Sequence, residues 1–97
     1  MKFTQREIDM VERYYDADDT DIYDAYARPS KTMRDAYNKC IKMKVNMDGT
    51  DFRITGHSSY TFSCAFRYKV DGVEWLRYIT KSNTYDINLT EYKNREV

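Results

Sequence analysis

Apolar positions recur at helical spacing up to about residue 45 and alternate one-in, one-out from residue 52 onward, so the chain reads as helices followed by a sheet. The first helix is predicted from Gln5 to Tyr15. Thr4-Gln5-Arg6-Glu7 is a capping box, Phe3 and Ile8 form a hydrophobic staple around it, and Ile8, Val11, Tyr14 and Tyr15 carry the periodicity. A short second helix is predicted next. Asp16 to Asp21 offer caps, Ile22, Tyr23 and Tyr26 an apolar side, and Pro29 ends it because the residue before proline is pushed out of the helical region. Ser30 caps a third helix, Lys31 to about Lys44. Met33, Ala36, Tyr37, Cys40, Ile41 and Met43 share one side of it.

Asp48-Gly49 is turn chemistry and marks the change of period. Phe52 and Ile54 predict a short strand stopping at Gly56, and Tyr60, Phe62, Cys64, Phe66, Tyr68 and Val70 a longer one. Thr61, Ser63, Ala65, Arg67 and Lys69 would then form an outer, solvent face. Asp71-Gly72 predicts a two-residue hairpin with Val70 opposite Val73, Lys69 opposite Glu74 and Tyr68 opposite Trp75. That register sets Arg77 opposite Phe66 on the apolar face. A bulge turning Leu76 and Tyr78 inward is the preferred resolution, and the alternative is that Arg77 emerges beyond the helices. Ser82-Asn83 reads as a turn, Tyr85, Ile87 and Leu89 as a last strand, and residues 92–97 as a frayed tail. The expectation is one α+β domain over residues 1–97, with three N-terminal helices (about 4–45) packed on one face of a four-stranded, mostly antiparallel sheet (about 50–90).

Composition supports a folded chain: net charge is zero, aromatic residues reach 15%, and 10 residues are tyrosine, a side chain suited to interfaces. No apolar run is long enough to span a bilayer and the start lacks a signal-peptide core, so no membrane association and a cytoplasmic location are expected. Cys40 and Cys64 sit in apolar patterns and read as buried thiols, with a disulfide between them as the less favoured alternative. Charge is uneven: residues 1–28 carry four Lys/Arg against eight Asp/Glu, residues 29–97 twelve against eight.

Candidate chemistry is sparse. His57 lies in Gly56-His57-Ser58-Ser59, where neither serine, nor Cys64, has the orienting partner that a nucleophile–base pair needs. Two cysteines and one histidine do not make a zinc set. The run starting at Asp16 lacks the sixth-position glycine and the twelfth-position glutamate of a calcium loop, with Asp21 and Ala27 standing there. No phosphate-binding glycine loop exists. No cofactor or metal and no enzymatic activity are therefore expected.

Two surfaces stand out for binding. Tyr14, Tyr15, Asp16, Asp18, Asp19, Asp21, Tyr23, Asp24 and Tyr26 combine aromatic contact area with carboxylates that can imitate a phosphate backbone inside a partner's basic channel. Lys31, Arg34, Lys39 and Lys42, with Arg67 and Lys69 of the outer sheet face, could instead contact nucleic acid, although a pI near 6.6 disfavours a dedicated binder. A third reading is a virion structural protein that self-associates as a homodimer through the edge strand over Thr84–Leu89.

The segments Asp24-Ala25-Tyr26-Ala27-Arg28-Pro29-Ser30, Ala36-Tyr37 with Cys40, Phe52-Arg53-Ile54-Thr55-Gly56 and Thr61-Phe62-Ser63 resemble small proteins encoded by phages and prophages of Gram-positive bacteria. The likeness spans roughly residues 20–80 and carries over no catalytic residue. It implies an inhibitor of host defence, such as an anti-CRISPR protein, whose partner is a host protein or ribonucleoprotein complex, including a Cas effector.

Overall fold

A computed structural model describes residues 3–17, 31–57 and 62–95, with side chains omitted at 31–33 and 57. They form an α+β domain in the order α1 (Gln5–Asp16), α2 (Lys31–Asn46), β1 (Thr50–His57), β2 (Phe62–Val70), β3 (Val73–Ile79), β4 (Thr84–Asn88) and α3 (Leu89–Asn94). The sheet is an antiparallel meander, β1-β2-β3-β4, so β1 and β4 are its edges. The second predicted helix falls outside the described residues.

The first helix begins as its sequence dictates. The Thr4 hydroxyl accepts from the Glu7 N–H (3.1 Å) and the Glu7 carboxylate accepts from the Thr4 N–H (2.9 Å). α2 ends in a Schellman motif, in which the Gly49 N–H reaches the Lys44 carbonyl (2.8 Å) and the Asp48 N–H that of Val45 (3.2 Å). The left-handed residue there is Asp48 (φ 53°). Gly49 is needed for another reason: a Cβ on it would lie 2.5 Å from Cδ1 of the buried Phe66 ring.

The hairpin forms in the predicted register, with Val70 opposite Val73, Lys69 opposite Glu74, Tyr68 opposite Trp75 and Phe66 opposite Arg77. Asp71 (φ 51°) and Gly72 (φ 81°) supply the two positive φ angles of a type I′ turn. No bulge interrupts β2–β3, which corrects the preferred resolution for Arg77. Leu76 and Tyr78 are buried without one because they face the opposite side of the sheet from Arg77.

That observation reorganises the core. Met10, Val11 and Tyr14 of α1 pack with Ala65, Leu76, Tyr78, Ile87 and Leu89 on one face. Cys40, Ala36 and Tyr37 of α2 pack with Phe52, Ile54, Phe62 and Cys64 on the other. Ala65 and Cys64 are consecutive and both fully buried, so both faces of β2 are covered. The expected packing of the helices on one face is therefore corrected: α1 and α2 lie on opposite faces, and the predicted outer face is the second core at Ala65.

The C-terminus also differs from expectation. Leu89 is buried but opens α3, capped by the Asn88 side chain, which accepts from the Glu91 N–H (2.9 Å). The Thr90 hydroxyl accepts from the Glu74 N–H (2.9 Å), docking α3 on β3 where β4 no longer pairs. Tyr92 meets Phe3 edge-on at 5.4 Å. Residues 92–94, expected to fray, are thus held by the core, because Tyr92 brings an aromatic ring to the α1 face.

Candidate functional site

The described start of the acidic, tyrosine-rich segment is the C-terminal end of α1, where a network of charges fixes the backbone. The Arg53 guanidinium donates through Nη1 to the carbonyls of Tyr14 (3.1 Å) and Tyr15 (3.2 Å), and at 3.5 Å to that of Ala17. These acceptors have few partners within the helix, and a cation at this end also complements the helix dipole. The same guanidinium lies 4.9 Å from the Tyr14 ring centroid.

A bulge in β1 makes the network possible. Pairing with β2 shifts between Thr50 and Arg53, and Asp51 between them has φ 52°. The bulge aims the Asp51 carbonyl at the Tyr14 hydroxyl, which donates to it. The Asp51 carboxylate accepts from Arg53 Nε and Nη2 (both 3.1 Å) and from Arg67 Nη2 (3.1 Å). Arg67 Nη1 lies 3.6 Å from the Glu74 carboxylate, whose other oxygen accepts from Lys93 Nζ at 2.9 Å. The network thus ties the end of α1 through three strands to α3.

Burial opposes ionisation of Asp51, but hydrogen bonding from Arg53 and the nearby Arg67 charge hold its carboxyl below the usual range. The Lys93 hydrogen bond does the same for Glu74. Burial pushes the Tyr14 phenol up, so it stays protonated as a donor.

The nine residues of the expected partner-binding surface separate. Tyr14 is fully buried, which corrects its assignment to the surface: its ring fills the α1 core and its hydroxyl is engaged by Asp51. Tyr15 (43% exposed) and Asp16 face solvent, with the Tyr15 ring edge-on to Tyr14 at 5.2 Å. Asp18, Asp19, Asp21, Tyr23, Asp24 and Tyr26 lie outside the described residues. Arg53, which sequence reasoning missed as part of this site, resembled any solvent-facing strand residue. Its role depends on a contact 39 positions away with Tyr14.

The expected basic surface also separates. Arg34, Lys39 and Lys42 are exposed on α2, and the Lys31 side chain is outside the described residues. Arg67 and Lys69 face the α1 side of the sheet, because β2 alternates without interruption from Cys64, which contacts α2, to Val70. Arg67 is also neutralised by Asp51 and Glu74. The five described cations therefore do not form one surface.

A second polar cluster lies on the α2 face. Arg77 pairs with Asp86 through Nε (2.8 Å) and Nη2 (2.9 Å), Tyr68 donates to the same carboxylate (2.8 Å), and Arg77 Nη1 reaches Met43 Sδ at 3.6 Å. Burial, then the hydrogen bond to Asp86, push the Tyr68 phenol up to about 12. The pairing offsets the cost of placing Arg77 beside Phe66.

Among the described residues no group of three or more His, Cys, Asp or Glu is placed to hold a metal ion, and no helix is long and apolar enough to cross a membrane. His57 ends β1 opposite Phe62, and Ser58 and Ser59 lie outside the described residues. Comparison with protein-family models, curated proteins and solved structures found no match.

Proposed function

We propose that this protein is a non-enzymatic binding protein that occupies a basic surface on a macromolecular partner, using the acidic, tyrosine-rich segment that begins at Tyr15 and Asp16. The observation that carries this reading is the anchorage of the end of α1 by Arg53, which fixes the root of that segment to the sheet. Tyr15 adds exposed aromatic area beside the first carboxylate. In sequence the run continues through three carboxylates, Asp18, Asp19 and Asp21, and then Tyr23, Asp24 and Tyr26.

The resemblance to phage and prophage proteins directs the proposal to inhibition of host defence, with a Cas effector as the candidate partner and the bacterial cytoplasm as the place of action. Carboxylates spaced along such a segment would compete with nucleic acid for a cationic channel. Replacing Asp18, Asp19, Asp21 and Asp24 with lysine tests it: partner binding is expected to disappear while the melting profile is retained. Undiminished binding would remove the acidic segment from the account.

A second reading retains one specific observation, the exposed cations Arg34, Lys39 and Lys42 on α2. It makes the protein a small nucleic-acid-binding regulator whose affinity falls steeply with salt. Absence of any DNA or RNA shift at low salt would refute it.

A further inference from the structure

We propose that the α2 side of the β2–β3 hairpin binds single-stranded nucleic acid, with Tyr68 and Trp75 as the surface on which bases stack. The inference rests on the second reading above and supplies the site that reading lacks. β2 and β3 alternate without a bulge, so Tyr68, Val70, Val73, Trp75 and Arg77 share with Cys64 the face on which α2 packs. Among the described residues, Tyr68, Val70, Val73 and Trp75 belong to neither core cluster; Val70 is 50% exposed and the other three are half-buried. Tyr68 stands directly opposite Trp75 on the two central strands. Neighbouring rings of this kind stack bases without regard to sequence, because every base has a flat aromatic face. The Tyr68 ring is also fixed in advance, its hydroxyl donating to Asp86 (2.8 Å) and the Arg77 guanidinium lying 5.6 Å from its centroid.

The chain's net charge of zero conceals a separation across the sheet. α1 carries two cations against four carboxylates, whereas α2 carries Lys31, Arg34, Lys39, Lys42 and Lys44 against Asp35. The helices pack on opposite faces, so the basic helix shares its side with the two rings. Met43 joins helix and hairpin. Its Sδ is 3.6 Å from Arg77 Nη1, Lys42 and Lys44 adjoin it in sequence, and Lys39 is one turn before it on the same flank. On that face of β2, β3 and β4 the carboxylate present is Asp86, which Arg77 neutralises through two hydrogen bonds (2.8 and 2.9 Å). Asp48 and Asp71 are exposed in the turns after α2 and β2, so phosphates are placed along the helix rather than at the turns.

A duplex cannot use this surface, since its bases already stack on one another and only an unpaired base can lay its face on the rings. Loss of one stacked ring should weaken binding roughly 5- to 150-fold. Three cations at the phosphates should make the affinity fall about 20-fold between about 50 and 200 mM salt.

The test is titration of the full chain with an oligothymidylate of about 12 nucleotides, a length that spans one such site. Binding is read twice, by anisotropy of a label on the oligonucleotide and by the emission of Trp75, the chain's one tryptophan. Both signals are expected to change with the same Kd and to weaken with salt. Trp75→Ala, Tyr68→Ala and the double variant Lys39→Glu with Lys42→Glu, on the exposed side of α2, should each bind more weakly. Trp75→Phe should keep most of the affinity, and a duplex of the same length should compete poorly. The emission of the unaltered chain decides the matter even if a ring variant unfolds. A rise in anisotropy with Trp75 emission unchanged would overturn this site and leave the second reading standing. No change in either signal at about 50 mM salt would overturn both, and equal affinity for the duplex would overturn stacking.

Discussion

Removing a single oxygen atom, in Tyr14→Phe, isolates the bond between α1 and the β1 bulge. Tyr14 is fully buried, and phenylalanine keeps its ring in the core and beneath the Arg53 guanidinium. What is lost is the hydroxyl that donates to the Asp51 carbonyl, at a residue held at φ 52°. A neutral hydrogen bond contributes about 0.5–1.5 kcal/mol, and a partly buried acceptor left without its donor adds to the loss, so about 1–2 kcal/mol is expected. For a domain of this size that lowers Tm by roughly 5–12 °C. Urea unfolding should show a lower midpoint with an unchanged slope, because the surface exposed on unfolding is the same. Tyr14→Ala should cost more, about 3–5 kcal/mol, since it also empties the ring's volume. A Tyr14→Phe midpoint indistinguishable from the unaltered chain would refute the role given to the hydroxyl. A loss as large as that of Tyr14→Ala would show that more than one hydrogen bond had been removed.

Gly49→Ala should destabilise the protein by about 1–3 kcal/mol in urea melts, because the new Cβ would lie 2.5 and 2.9 Å from two atoms of the immobile Phe66 ring. Acid should destabilise it through Asp51, Glu74 and Asp86, whose carboxyls all titrate lower in the folded chain than their ordinary values of 3.8, 4.5 and 3.8. Folded carboxyls that hold protons more weakly than unfolded ones contribute fully above those ordinary values and lose the contribution as pH falls through the folded ones. The urea midpoint should therefore be steady with respect to these groups from pH 7 to about pH 5 and fall below about pH 4.5, and Asp51→Asn should flatten that acid limb.

Local structure was legible in the residues where local chemistry decides it. Thr4 and Glu7 define the start of α1, and Asp71-Gly72 sets the hairpin register residue by residue. The arrangement of layers is not, because alternation along β2 by itself implies one buried and one wet face. The clue lay in the consecutive Cys64-Ala65-Phe66 and in the mixed parity of Trp75, Leu76, Tyr78 and Ile79, which together suit a sheet covered on both sides. Arg77 looked misplaced for the same reason; a carboxylate on the neighbouring strand, Asp86, accommodates it without a bulge.

The candidate site was half legible. Asp16 is exposed, and so is Tyr15 although the helical period groups it with Val11, while Tyr14 follows that period into the core. Arg53 and Asp51 owe their roles to a bulge that brings β1 against the end of α1, and no local motif announces a pairing at that separation. The pairing of Arg67 is equally invisible locally, since its partners Asp51 and Glu74 come from the two strands flanking β2.

The central claim, binding through the acidic segment, is tested most directly by retention of bacterial proteins on the tagged full chain after nuclease treatment. The unaltered chain is compared with variants carrying Asn or Lys at Asp18, Asp19, Asp21 and Asp24, each first shown to melt like the original. The account predicts that a discrete protein is retained by the unaltered chain, weakened by the Asn variant and lost with the Lys variant. Equal retention by all three, or retention that vanishes with nuclease alone, would contradict it.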